Sequence, residues 1–372
     1  MKEELYEWDS RSLPDKRKYP SENFFEPNSI TRSRDKEEAR EILEGESIVV
    51  LGDADADGLA AKACIDAYYD ESVPFVPCGP HGGGVYLGEA IQMAIYGLEE
   101  DSTVYIQDVT VDEQWKIKHL PRLQEKAEIL WFDHHEWDSD VESFARNNTD
   151  YFEVDTGKDF PEENQFAARC TAMMIRDYFS NKENHQFSQK LNELVDVTGE
   201  YDLWRLRDER CYDLNDYSQV VESHENYIST VREFGAEIMK IDSVNQSVSE
   251  FREEQRKLHD RAISTAEIKI VNGIKVAEIY GNCQVNEVAE TLRKNESVDL
   301  CVFSKPHGGI SLRGSTGFTD CDSIAQEMGG GGHEKAAGAF ADEFDSIGDY
   351  VSHWSSEGKS VFSKVREKIK RI

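Results

Sequence analysis

Three acidic residues at alternate positions of one short turn constrain this chain more than any other stretch. Ile48-Val49-Val50-Leu51 is an apolar run of strand character, and Gly52-Asp53-Ala54-Asp55-Ala56-Asp57-Gly58 follows it. Leu59, Ala60, Ala63, Cys64 and Ala67 then recur at helical spacing. Carboxylates crowded between a strand and a helix repel one another unless a cation lies among them. The turn therefore reads as a divalent-metal site carried on a strand–turn–helix unit.

Two other uses of such a turn are weighed against this. A calcium loop of the helix–loop–helix type needs a bidentate glutamate at its twelfth position. Counting from Asp53 that position is Cys64, and the entering element is a strand, so this reading fails. The ending Asp55-Ala56-Asp57-Gly58 also suits an aspartyl-nucleophile phosphatase of the haloacid-dehalogenase type, but Leu59 stands where those enzymes usually carry Thr.

The same pattern of strand then helix continues. The spacing predicts strands over 47–51, 74–77, 103–107 and 129–132, with helices over 35–44, 58–69 and 87–98. Cys78-Gly79-Pro80-His81-Gly82-Gly83-Gly84 reads as a loop. Alternation of this kind implies right-handed crossovers and a parallel sheet, which binds ligands at the carboxyl ends of its strands. Three strands here end in acid: Leu51 before Asp53, Gln107 before Asp108, and Phe132 before Asp133. In a parallel sheet all three meet at one edge.

Composition narrows the function. The chain has 372 residues, enough for two cores, and 74 acidic against 42 basic residues give a formal charge of −32. Such a charge argues against tight, non-specific duplex binding. Acids spread along the whole chain suit a high-salt cytoplasm, where screening is nearly complete. No apolar run of about 18 residues or apolar leader exists, so the expectation is a cytoplasmic protein with no membrane partner. The seven cysteines are scattered and form no CxxC pair, which indicates neither a disulfide framework nor structural zinc.

Beyond the first alternation, helices are expected over 166–179 and 187–197, then Tyr201-Asp202-Leu203-Trp204 in a turn, then a long helix or helix pair over 217–264. Strand character resumes over 268–271 and 274–279 around Asn272-Gly273, a hairpin signal. A helix over 285–294, strands over 300–303 and 310–313, a helix over 322–328 and a helical tail over 345–370 complete the chain.

Asp133-His134-His135 follows a strand, and neighbours on an extended chain point to opposite sides. One histidine is thus expected among the carboxylates, and the other either supports those ligands from behind or faces the substrate. Asp202, with Asp196 as competitor, is a further candidate ligand. Five or six carboxylate donors with one imidazole suit Mn²⁺ or Mg²⁺ better than zinc, and the number of acids suggests two ions. Gly329-Gly330-Gly331-Gly332-His333 would let backbone amides approach a phosphate, and Arg313 offers a guanidinium fork.

Taken together, GDADADG, Asp108 in Gln-Asp-Val-Thr, Asp133-His134-His135, Asp202 in Tyr-Asp-Leu-Trp, and GGGGH followed by Ala336-Ala337-Gly338 resemble the DHH phosphoesterase superfamily, in particular members with the DHH-associated C-terminal domain. The likeness spans roughly residues 45 to 345. It implies an α/β fold in which a parallel-sheet N-terminal DHH domain is joined by a helical linker to a smaller α/β C-terminal domain. The expected organisation is an arm and short helix over 1–44, the metal-binding domain over 45–215, a linker over 216–265 and a substrate-binding domain over 266–372.

The resemblance implies two Mn²⁺ ions (or Mg²⁺) held by Asp53, Asp55, Asp57, Asp108, His134 and Asp202, with Asp108 bridging. It implies His135 facing the phosphate and Arg313, Gly330, Gly331, Gly332 and His333 gripping substrate; Asp108, His134 and His135 are the expected catalytic residues. The activity implied is hydrolysis of single-stranded DNA or short RNA from an end, RecJ-like or nanoRNase-like. A cyclic-dinucleotide phosphodiesterase and a non-catalytic subunit of a replication or repair complex are the alternatives, and the expected protein partner is a second copy of the chain or a repair or replication protein. The GGGGH segment argues against the pyrophosphatases of the superfamily.

Overall fold

The computed structural model describes residues 28–79, 85–111, 113–156, 169–280, 283–304, 309–326, 328, 330–340, 365, 366 and 369. Two units divide the chain, one from Arg32 to Ser249 and one built on Glu250–Ile372. In the first, α1 (Asn28–Leu43) leads into β1 (Ile48–Gly52), α2 (Ala56–Tyr69), β2 (Phe75–Gly79), β3 (Val85–Tyr86), α3 (Leu87–Gly97) and β4 (Ser102–Gln107). A 3-10 turn (Gln114–Ile117) and α4 (Leu120–Gln124) carry the chain to β5 (Ala127–Asp133), and α5 (Ser139–Asn147) carries it to β6 (Tyr151–Val154). Next come α6 (Thr171–Lys182), α7 (Gln189–Asp202), α8 (Arg210–Val220) and α9 (His224–Phe234).

The strands pair in parallel in the order β3-β2-β1-β4-β5-β6. Register places Val76, Leu51, Ile106, Trp131 and Phe152 in one row across the sheet. That row packs against Leu43 of α1, Leu87, Ile91 and Ala94 of α3, and Leu120 and Leu123 of α4. The opposite face is aromatic: Tyr105 meets Tyr69 of α2 and Phe179 of α6, and Phe132 meets Tyr178. Both faces are covered, so the strands are apolar throughout, as buried parallel strands must be.

Helix α2 explains how the second layer sits so close. Its residues from Ala56 to Asp66 are all buried, and most are small. Lys62 is enclosed with them, its ammonium paired to Asp66 one turn on. The Asp66 carboxylate also accepts from the Val73 amide at 2.8 Å, so neither charge is left alone.

The strand order reverses its direction of winding between β1 and β4. In an open parallel sheet that is where the carboxyl ends of the strands leave a crevice. The acidic turn follows β1 and Asp108 follows β4, so the fold places both at this point.

In the second unit, β7 (Glu267–Val271), β8 (Ile274–Tyr280), β9 (Leu300–Ser304), β10 (Gly309–Gly314), β11 (Gly331–His333) and β12 (Ala336–Phe340) pair in the order β11-β12-β10-β9-β8-β7. Asn272 and Gly273 both take positive φ, 50° and 84°, giving the tight hairpin that their sequence signals. β8 and β9 run parallel, and every other described pair is antiparallel. The long helix α10 (Asp242–Thr265) precedes this sheet. The crossover between β8 and β9 is α11 (Val285–Glu296), whose Val288 and Leu292 pack with Ile279, Cys301 and Phe303. Helix α12 (Cys321–Gln326) packs with Leu312 and Ala339 on the other face.

Several elements differ from the sequence expectation. The first helix starts at Asn28 rather than 35, because 28–34 are polar and show no apolar period. The stretch expected as one helix or a pair over 217–264 is broken into three, with Gly235 at φ 64° closing α9. Short α4 and edge strand β6, whose strand residues are all half-buried, lack a readable period, whereas α5 places Val141, Phe144 and Ala145 at helical spacing and is a helix the sequence reading lacks. The expected loop over 80–84 and most of the tail over 345–370 lie outside the described residues. No disulfide bond joins two cysteines among the described residues.

Candidate metal centre

The acidic turn is shaped by its glycines and its own backbone. A Cβ on Gly52 would lie 2.2 Å from the Gln107 carbonyl oxygen, so only glycine lets the ends of β1 and β4 meet. A Cβ on Gly58 would lie 2.2 Å from the Asp53 oxygen. Asp55 is the N-cap of α2: its Oδ1 accepts from the amides of Asp57 (2.9 Å) and Gly58 (3.0 Å). The Gln107 side-chain amide donates to the Gly58 carbonyl at 2.6 Å and ties the end of β4 to the first turn of α2.

Asp57, on the first turn of α2, turns to a neighbouring helix. One of its oxygens accepts from the Thr171 amide at 2.7 Å and the other from the Ala172 amide at 3.1 Å. These are orphan donors at the start of α6, where an anion is favoured. The Thr171 hydroxyl donates to Asp108 Oδ1 at 3.3 Å. Asp108 is buried and has φ 53°, a left-handed conformation rare outside glycine.

After β5, His134 Nε2 lies 3.3 Å from Asp108 Oδ1 and 3.4 Å from Asp202 Oδ2. His135 Nδ1 lies 2.7 Å from Asp133 Oδ1 and 4.0 Å from Asp108 Oδ1. The two rings are 4.5 Å apart, so the expectation that they point to opposite sides does not hold. The strand ends at Asp133, and beyond it the pleat no longer dictates direction. Fully buried Asp133 instead accepts from both His135 and Trp137 Nε1, the latter at 2.7 Å, and fixes the imidazole.

Asp202 is the last residue of α7 rather than part of a turn. Its competitor Asp196 is mostly exposed and pairs with Arg176 at 2.5 Å. The ligand atoms fall into three groups within 4.8 Å: Asp53, Asp55 and Asp108; Asp57, His134 and Asp202; and Asp108, His134 and His135. Every residue expected of the metal set is therefore present, and Asp108 and His134 are each shared between groups. Sequence reasoning missed Thr171 and Ala172, whose contribution is largely backbone amides at a helix start.

The electrostatics show what this arrangement demands. Burial, with the charges of Asp108, Asp53, Asp202 and Asp57, raises Asp55 well above the usual carboxylate range. Burial and Asp202 push Asp57 up to about 8. Asp202 is raised by burial as well. For Asp108 burial is outweighed by the hydrogen bond and charge of His134, which hold it below the usual value. Burial would lower His134, yet Asp202 and Asp108 raise it well above normal. Left to itself, the cluster must take up protons.

A divalent cation answers the same demand, and the donors fit one. Asp202 Oδ2 is buried with no hydrogen-bond partner among the described residues, an acceptor in need of a cation. Oxygen donors with an imidazole suit Mn²⁺ or Mg²⁺. The nearby thiol of Cys170 is raised well above its normal value by burial and then by Asp57, so it stays protonated and is a poor ligand.

The substrate-grip candidates lie in the second unit. Arg313 donates from Nε to Asn286 Oδ1 at 2.6 Å and from Nη1 to the Leu312 carbonyl at 2.9 Å. The glycine run, expected as an anion-binding loop, is instead the edge strand β11 from Gly331 to His333. A Cβ on Gly330 would lie 2.0 Å from the Gly338 oxygen, and one on Gly332 would lie 2.6 Å from the Ala336 oxygen. Close pairing with β12 thus accounts for these glycines. The His333 side chain lies outside the described residues.

No protein-family profile and no curated protein matches the sequence. Among solved structures, the chain is similar to the DHH domain of a protein described as a member of a ribosomal-protein family, at 14% identity and TM-score 0.56, over 100% of this chain and 97% of that one. It is also similar to RecJ from Thermus thermophilus, solved in complex with Mn²⁺, at 13% identity and TM-score 0.51. That match covers 91% of this chain and 55% of RecJ. With the strand order and the acids at its switch point already in place, these likenesses establish that the chain has the DHH-domain fold.

Proposed function

We propose that this protein is a Mn²⁺-dependent phosphodiesterase that hydrolyses single-stranded DNA or short RNA from an end. The observation that carries the reading is the meeting of Asp53, Asp55, Asp57, Asp108, His134 and Asp202, drawn from four separate segments, at the carboxyl edge of the sheet. Two groups that share Asp108, and two that share His134, suit a pair of ions better than one. Bound there, such a pair would make an attacking water acidic and offset charge on the leaving oxygen. The Mn²⁺ of the RecJ structure supports the choice of metal.

The chain's own residues supply the rest. Asp133 orients His135, whose pKa is raised: burial opposes this, but Asp133 prevails. Protonated, His135 is a donor for a phosphoryl oxygen beside Asp108. Asp55 and Asp57 are held by backbone amides, so the donors are positioned before substrate arrives. Arg313 is the candidate phosphate contact of the second unit. The complete donor set speaks against a non-catalytic subunit.

The test is an end-labelled ladder of DNA and RNA oligomers with Mn²⁺, resolved by length, with a cyclic dinucleotide assayed beside it. Shortening one nucleotide at a time supports the reading. Cleavage of the cyclic dinucleotide alone would reassign the substrate, and turnover of no diester would overturn the reading.

A further inference from the structure

The chain does not straighten where α7 delivers its ligand Asp202. Trp204, two residues on, takes φ 53°, and Leu206 takes φ 57°. Left-handed backbone after a helix is usually left to glycine. Here the turn is nonetheless firmly tied: the Trp204 amide donates to the Tyr201 carbonyl at 3.0 Å, and those of Arg205 and Leu206 donate to the Glu200 carbonyl at 2.8 and 2.9 Å. The conformation keeps a large indole 39% exposed.

The ring is also supported from within. Tyr201 meets it edge-on at 5.4 Å and 70°, and Tyr212 meets Tyr201 at 5.7 Å and 80°. Two residues of chain span at most about 7 Å, so Trp204 leaves the backbone close to Asp202. Tyr96 and Trp115, also strongly exposed, differ in setting: they carry Arg122 and Lys116 over their rings.

We infer that Trp204 is a stacking platform for a nucleobase of the substrate, next to the metal centre. This rests on the phosphodiesterase reading and narrows its substrate class to base-bearing diesters rather than bare polyphosphates. The chemistry favours it because a chain of net charge −32 gains little from long-range attraction to phosphate. Affinity for an oligonucleotide must then come from the ions and from neutral contacts. A flat apolar ring serves any base, since every base has a π face.

The experiment compares an oligonucleotide with the same oligomer carrying abasic residues at its termini, using the full chain with Mn²⁺. Trp204→Ala is expected to raise KM for the intact oligomer by about 5- to 150-fold, the range of one stacked base, and to leave KM for the abasic oligomer unchanged. Trp204→Phe should restore most of the loss. Equal KM values for wild type and Trp204→Ala on the intact oligomer would overturn this inference alone, as would the same rise on both substrates. A wild-type protein that hydrolyses neither oligomer would overturn the underlying phosphodiesterase reading and this inference with it.

Discussion

Asp55→Asn is the substitution that separates charge from shape at the centre. Asparagine caps a helix as well as aspartate does, so the bonds to the Asp57 and Gly58 amides survive the change. What is lost is one negative charge in a group whose ligand atoms lie within 4.8 Å, where two unit charges repel by about 3.5 kcal/mol at an effective dielectric of about 20. Buried Asp108 contributes that repulsion in full. Exposed Asp53 is screened, and its part is discounted. The charge of Asp55 gains about 0.3–1 kcal/mol from the start of α2, which leaves a net relief of about 3 kcal/mol. Because Asp55 titrates above its ordinary range when folded, the metal-free protein holds a proton there that the unfolded chain has released. Wild-type stability therefore falls as pH rises through that window, and the variant escapes the fall. Urea titrations in EDTA should show the variant gaining on wild type as pH rises through the raised titration of Asp55, to an advantage of about 3 kcal/mol. Saturating Mn²⁺ should reverse the order, since a ligand at about 100 times its Kd adds about 2.7 kcal/mol to the protein that binds it. A variant less stable than wild type in EDTA at the higher pH would refute the claim that carboxylate repulsion dominates this turn.

Asp108→Ala and His134→Ala should each abolish hydrolysis while circular dichroism still reports a folded chain; activity in a folded Asp108→Ala protein would remove the mechanism. Asp133→Asn should lower kcat about 10- to 100-fold by releasing His135, with the urea midpoint as the check that the fold persists. Gly332→Ala should cost about 1–3 kcal/mol in urea unfolding, whereas Gly317→Ala, whose Cβ meets nothing nearer than 4.0 Å, should be neutral. Activity and solubility should persist or rise in high salt; loss of both would count against adaptation to a salty cytoplasm.

The grouping of the candidate ligands was legible because a parallel sheet brings all its strand ends to one edge. Acids after β1, β4 and β5 needed only that rule to be placed together. Asp202 needed more, since helix α7 offers two aspartates and only the structure separates Asp202 at its end from Asp196 on its exposed side. The anchoring of Asp57 by α6 was invisible because backbone amides carry no residue signature. The relative direction of His134 and His135 was not legible, because the strand ends at Asp133 and its pleat sets no direction beyond it. The glycine run was misread because local permissiveness looks alike in a ligand loop and in a tight strand pair; the partners Ala336 to Gly338 decide it.

The two bonds from Asp57 to α6 join the chemistry of the centre to the architecture above it. A single side chain from one helix bolts the first turn of another, 114 residues away in sequence. Any change in what Asp57 carries, proton or ion, is felt by the amides of Thr171 and Ala172. Their hydrogen exchange is consequently a built-in gauge of metal loading, readable without substrate.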